Sequence, residues 1–136
     1  ISITTTPITL VVTHMIRTTV ADKADGIAFT LPAATGTGDK FYIAVGTALT
    51  SSTITVTAAG SDKYTGGVLI NDTGDTTVAT SDYFPTVAGT STICTLTQSI
   101  GAGKAGDFVC FEDFKTARWL ISGVLSGETD PTNPFS

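Results

Sequence analysis

The sequence predicts an all-β fold: an antiparallel β-sandwich or small β-barrel of about nine to eleven short strands, in one domain covering residues 1–136. Three observations carry that prediction. Threonine supplies 28 of the 136 residues, and its branched Cβ favours extended backbone over helix. Apolar residues recur with period two and never with a sustained helical period. Turn residues punctuate the chain at about every 8 to 12 positions, and such short connections predict antiparallel neighbours.

The elements follow in order. Residues 8–20, "ITLVVT" and "MIRTTV", are strand-like and lead to a turn at "KADG". "IAFTLP" sets Ile27, Phe29 and Leu31 on one face. "KFYIAVGT" sets Phe41, Ile43 and Val45 against Tyr42, Ala44 and Gly46. "STITVTAA" alternates Ile54 and Val56 with threonines and is the clearest half-buried strand. "GGVLI", "TTVA", "STICTLTQ", "DFVCFEDF" and "RWLISGVL" complete the set. The ends read differently. Residues 1–20 are a candidate N-terminal arm. Residues 126–136 carry Pro131 and Pro134 and predict an extended C-terminal tail. Its apolar tip, Phe135, points to anchoring in a groove on this chain or a neighbour, with a free, unanchored end as the other reading. The chain opens on Ile1 rather than methionine, which leaves a removed leader open.

Composition narrows function. Charged residues are only 14% against a usual value of about 25%, which favours a surface that meets other surfaces. Net charge is −5, and the seven Lys and Arg are scattered in sequence, so no nucleic-acid partner is expected. The apolar runs are too short for a membrane-spanning helix.

The motifs that suggest chemistry fall to simpler readings. "TLPAATGTGDKFYIAVGT", residues 30–47, places Lys40 behind Gly36 and Gly38. A phosphate loop needs four residues between its glycines, Lys-Ser/Thr at its end, and a helix to follow. Here a strand follows, so the stretch reads as a hairpin or strand-connecting turn. "DKADG" (22–26) and "NDTGD" (71–75) lack the alternating oxygens and distant Glu of a calcium loop, and read as Asx-type turns. His14 is the only histidine, which excludes a multi-histidine zinc site; its expected role is structural or interfacial. Glu112 and Asp113 are adjacent in a strand and so point to opposite faces, which predicts solvated or interface charges rather than an acid pair. Trp119, Tyr42, Tyr64 and Tyr83 are dispersed, a weak signal for sugar stacking. No catalytic residue, metal site or cofactor is expected. Cys94 and Cys110 flank "TLTQSIGAGKAGDFV". A hairpin symmetric about Ala102 would oppose them, a geometry open to a cross-strand bridge. The other reading is a pair of small, reduced thiols.

Two stretches, "FTLPAATGTGDKFYIAVGTALTSSTITV" and "GDFVCFEDFKTARWLISGVLSGETDPTNPFS", together resemble short β-rich virion proteins of tailed bacteriophages, of the capsid decoration or head cement kind. The matching features are Thr30 to Gly38, Val45 to Thr47, Gly106-Asp107, Glu112-Asp113, Trp119 and Pro134 to Ser136, within residues 27–136. The resemblance implies a non-enzymatic structural protein on the outer capsid surface of the virion, bound to the major capsid protein as a homo-oligomer, with a trimer favoured. On that reading Ile1, Ile3, Pro7, Trp119, Pro134 and Phe135 are candidate attachment or inter-subunit contacts. The alternative is a head-fibre, tail or adhesin-type module that binds host glycans.

Overall fold

The computed structural model describes residues 1–11, 18–74, 80–87, 89–127 and 130–136. His14 and part of the N-terminal arm lie outside the described residues. The strands are β1 (Ser2–Ile3), β2 (Ile8–Thr9), β3 (Thr18–Ala21), β4 (Ala28–Thr30), β5 (Lys40–Val45), β6 (Ile54–Thr57), β7 (Lys63–Asp72), β8 (Ser81–Pro85), β9 (Ile93–Leu96), β10 (Phe108–Lys115) and β11 (Arg118–Gly127). A 3-10 turn, Gln98–Ile100, precedes β10. The chain is all-β, in two mixed sheets: a seven-stranded sheet ordered β1-β3-β5-β10-β11-β7-β8, and a four-stranded sheet ordered β2-β4-β6-β9.

The antiparallel expectation needs correction. Among the described residues, five of the nine strand pairings are parallel: β1·β3, β3·β5, β2·β4, β4·β6 and β7·β11. From β1 to β6 the chain alternates between the sheets, odd strands in the larger and even strands in the smaller. A strand then pairs with the one two places back, and the two run the same way. Gly, Asp and Pro mark where the chain turns. They do not encode whether the next strand pairs with the previous one or crosses to the other sheet.

The period-two pattern did locate the inner faces. Phe41, Ile43 and Val45 of β5 and Ile54 and Val56 of β6 are buried, as the alternation predicts. They join Phe29, Tyr64, Val68, Ile70, Leu96, Val109, Phe111, Trp119, Ile121 and Leu125 in one core cluster fed by both sheets. Phe41 and Trp119 meet with ring centroids 5.7 Å apart, and Tyr64 and Phe111 at 5.5 Å, in tilted geometries that aromatic pairs prefer. Tyr64 also links the sheets: its hydroxyl donates to the Val56 carbonyl of β6 at 2.9 Å. A buried phenol needs such a partner.

Both chain ends are laid into the sheets where they are described. The Ile1 amino group donates to Thr18 O, and Asp22 N donates to Ile3 O. At the other end, Thr92 N and Ile93 N donate to Ser136 O, while Thr95 N donates to Pro134 O. Residues 134–136 thus cover the outer edge of β9, which would otherwise expose unpaired backbone. Phe135 anchors in this chain's own core and is only 7% exposed.

Candidate functional site: a glycine loop closed on its own carboxylate

The loop after β4 leaves the four-stranded sheet and enters the seven-stranded sheet at β5. It is therefore a crossing between sheets, not a hairpin. Gly36 takes φ +84, a conformation that a side chain strongly disfavours. With that geometry the amides of residues 35 to 37 converge on a single carboxylate, that of Asp113 on β10. Thr35 N donates to both of its oxygens at 2.9 and 3.0 Å. Gly36 N donates at 2.6 Å and Thr37 N at 3.2 Å. The hydroxyls of Thr35 and Thr37 add 2.9 and 3.0 Å contacts to Oδ2. Backbone bonds reinforce the closure, from Gly38 N to Asp113 O and from Asp113 N to Asp39 O, each 2.8 Å.

This loop does cradle an anion, and the anion belongs to the chain itself. Successive amides around a bend make the kind of concavity that holds phosphate elsewhere. Here the seat is filled by Asp113, which is only 3% exposed. Burial pushes the Asp113 carboxyl upward, but the donors from Thr35, Gly36 and Thr37 outweigh it and hold the group below its ordinary range. Asp113 is thus fixed as an ionised acceptor with both oxygens engaged, a poor general acid or base. The expectation of a solvated or interface charge fails for Asp113. It holds in part for Glu112, which points the other way and pairs with Lys40 Nζ at 2.9 Å.

The same device recurs at the other buried carboxylates. Asp62 accepts from Ala34 N at 2.6 Å, just ahead of the Asp113 seat. Asp72 accepts from Gly74 N at 2.9 Å. Asp107 accepts from Gly103 N and Lys104 N at 2.8 and 3.0 Å. Of the two calcium-like stretches, "NDTGD" therefore uses Asp72 as a turn residue, and "DKADG" places Asp22 under the Thr47 and Ser2 hydroxyls. Among the described residues, no three His, Cys, Asp or Glu side chains gather as a metal site.

The cysteines are not brought together. Cys94 lies on β9 opposite Val56 in the four-stranded sheet, and Cys110 lies on β10 between Tyr42 and Ser122 in the seven-stranded sheet. Both are free thiols. The segment between them crosses between sheets, so the symmetric hairpin that would have opposed them does not form. Burial pushes both thiols up, Cys94 far more than Cys110.

The candidate contact residues divide. Ile1 (44% exposed) and Pro7 are at the surface. Ile3, Trp119, Pro134 and Phe135 are buried in this chain. Tyr64 is buried as well, Tyr42 is half-buried, and Tyr83 is exposed. Trp119 lines a cleft of about 470 Å³ with Leu10, Pro32, Phe41, Asp39 and Asp113, and its indole Nε1 is buried without a hydrogen-bond partner. In comparisons with protein families, curated proteins and solved structures, nothing matches this chain.

Proposed function

We propose that this chain is a structural, non-enzymatic virion protein that decorates the outer surface of a bacteriophage capsid and stabilises it by binding the major capsid protein lattice. Its two sheets would form a β-sandwich, and it would act as a homo-oligomer, three copies being the number the resemblance implies. Besides the resemblance of residues 27–136, the observation that supports this reading is the pinning of loops by buried carboxylates. Asp62, Asp72, Asp107 and Asp113 each hold backbone amides of a glycine-containing connection. Such a domain orders little on binding, so more of its contact energy remains for holding neighbouring capsid subunits together. Repeated copies on a lattice then add avidity. The glycan-binding alternative loses Trp119 and Tyr64, which are buried and cannot stack on a sugar ring, and keeps Tyr83, which is 61% exposed.

The test is to add the purified chain to expanded heads that lack it and image them. The expected result is density at a repeated lattice position, with greater resistance of the heads to heat-induced rupture. Density at a single vertex, or none, would reject the proposal.

A further inference from the structure

The seven Lys and Arg are scattered in sequence, but the fold gathers three of them. Lys115 pairs with Arg118 across the β10–β11 turn, and Arg118 pairs with Lys63 across the parallel β11–β7 ladder. Their strand neighbours Trp119 and Tyr64 are buried, so Arg118 and Lys63 point to the outer face of the seven-stranded sheet. Three cations therefore sit side by side on adjacent strands, within roughly 10 Å. Like charges directly opposite one another in a sheet are destabilising.

The nearby carboxylates do not relieve this repulsion. Asp113 is turned inward to the glycine loop, Asp62 to Ala34 N, and Glu112 to Lys40. Lys40–Glu112 is the only ion pair among the described residues. Beside the three cations stands Phe114, 54% exposed. Further along the same face, one cross-strand row carries Ala44, Phe108, Val124, Leu69 and Tyr83, of which Phe108, Val124 and Tyr83 are exposed.

We propose that this outer face, centred on Lys63, Arg118, Lys115 and Phe114, docks an acidic polypeptide surface. Charge complementarity selects the occupant. A protein patch can offer a few carboxylates at strand spacing and apolar neighbours for Phe114 and the row beyond. A nucleic acid offers a long phosphate array, which three cations on a chain of net charge −5 would engage poorly. The apolar centre would supply affinity, and the cationic corner orientation and encounter rate. The inference stands on the sheet face alone and does not depend on the capsid reading.

The probe is poly-L-glutamate, titrated into the full chain at low salt and followed by calorimetry, with a single-stranded DNA 20-mer as the competing class. Binding should be saturable, weaken as salt rises, and fall by about tenfold or more in Arg118→Glu. Lys23→Glu changes net charge equally at a site away from this corner and should leave affinity within about twofold. Lys115→Glu, at an exposed position, repeats the test should Arg118→Glu fail to fold. No binding of poly-L-glutamate, equal weakening by Lys23→Glu, or tighter binding of the DNA would each overturn the proposal.

Discussion

Asp113 and Lys115 are two residues apart on β10, yet their charges are treated in opposite ways. Asp113 faces inward and receives five donor groups from Thr35, Gly36 and Thr37. Lys115 stands outside beside Arg118 and Lys63 and has no anionic partner among the described residues. The inner charge is consumed by architecture. It helps to fix a crossing between sheets, together with the backbone bonds from Gly38 N to Asp113 O and from Asp113 N to Asp39 O. The outer charges have no ion-pair partner among the described residues and so remain available to another molecule. A charged side chain in this protein is therefore read by what already satisfies it, and not by its proximity to a glycine-rich motif.

The sharpest way to break that contrast is Asp113→Ala. It leaves three amides and two hydroxyls of the loop without their acceptor, and should cost about 2 to 4 kcal/mol in urea unfolding at neutral pH. The folded-state carboxyl is depressed, so its contribution is present above its unfolded pKa of about 3.9 and is lost as pH falls through the lower folded value. The gap between wild type and Asp113→Ala should therefore narrow below about pH 4. Asp107 has the opposite sign: burial raises its carboxyl, against bonds from Gly103, Lys104 and Ser126. Its contribution is present below the unfolded pKa and is lost as pH rises through the folded one. Asp107→Asn should thus cost less at pH 7 than Asp113→Asn. The reverse order in matched unfolding curves would mean that the Asp113 seat is not what holds the loop.

Part of this was legible in the sequence and part was not, for a physical reason. Alternation at Phe41, Ile43, Val45, Ile54 and Val56 is a local property, and it identified the buried faces. The Asx turn at Asp72 is local too, its donor lying two residues away. The Asp113 seat is not local, because its donors lie 76 to 78 residues away and most are backbone amides without a side-chain signature. The cation cluster is likewise hidden, since Lys63 and Arg118 become neighbours only through the parallel β7·β11 pairing. That pairing was itself outside the antiparallel expectation. Phe135 shows an intermediate case. A large apolar tip signals an anchor, and only the fold reveals that the groove belongs to the same chain.

On the outer face the expected effects are smaller. Lys63→Glu replaces a repulsion with an attraction opposite Arg118, and should stabilise the isolated chain by roughly 0.2 to 1 kcal/mol. The same change removes a cation from the proposed docking face. Stability and poly-L-glutamate affinity should therefore move in opposite directions. A destabilised Lys63→Glu would show that the three cations do not repel one another enough to matter.

The smallest effect belongs to the residue that first suggested a ligand. Lys40 follows the glycine loop, but its ammonium reaches Glu112 at 2.9 Å and not the loop's concavity, which Asp113 fills. Both partners are half-exposed, at 42% and 31% of their side-chain surface, and an ion pair in that setting contributes about 0 to 1 kcal/mol. The hydrogen bond to Glu112 raises the Lys40 ammonium pKa, so the residue stays charged throughout the neutral range. Lys40→Ala should accordingly leave the unfolding midpoint almost unchanged, with the residual difference vanishing at high salt. It should also leave Thr35, Gly36 and Thr37 protected from amide exchange, because their acceptor is intact. Loss of that protection in Lys40→Ala would place the lysine within the loop's support after all. Retained protection in Lys40→Ala together with lost protection in Asp113→Ala would assign the protection of these three amides to the carboxylate and not to the lysine.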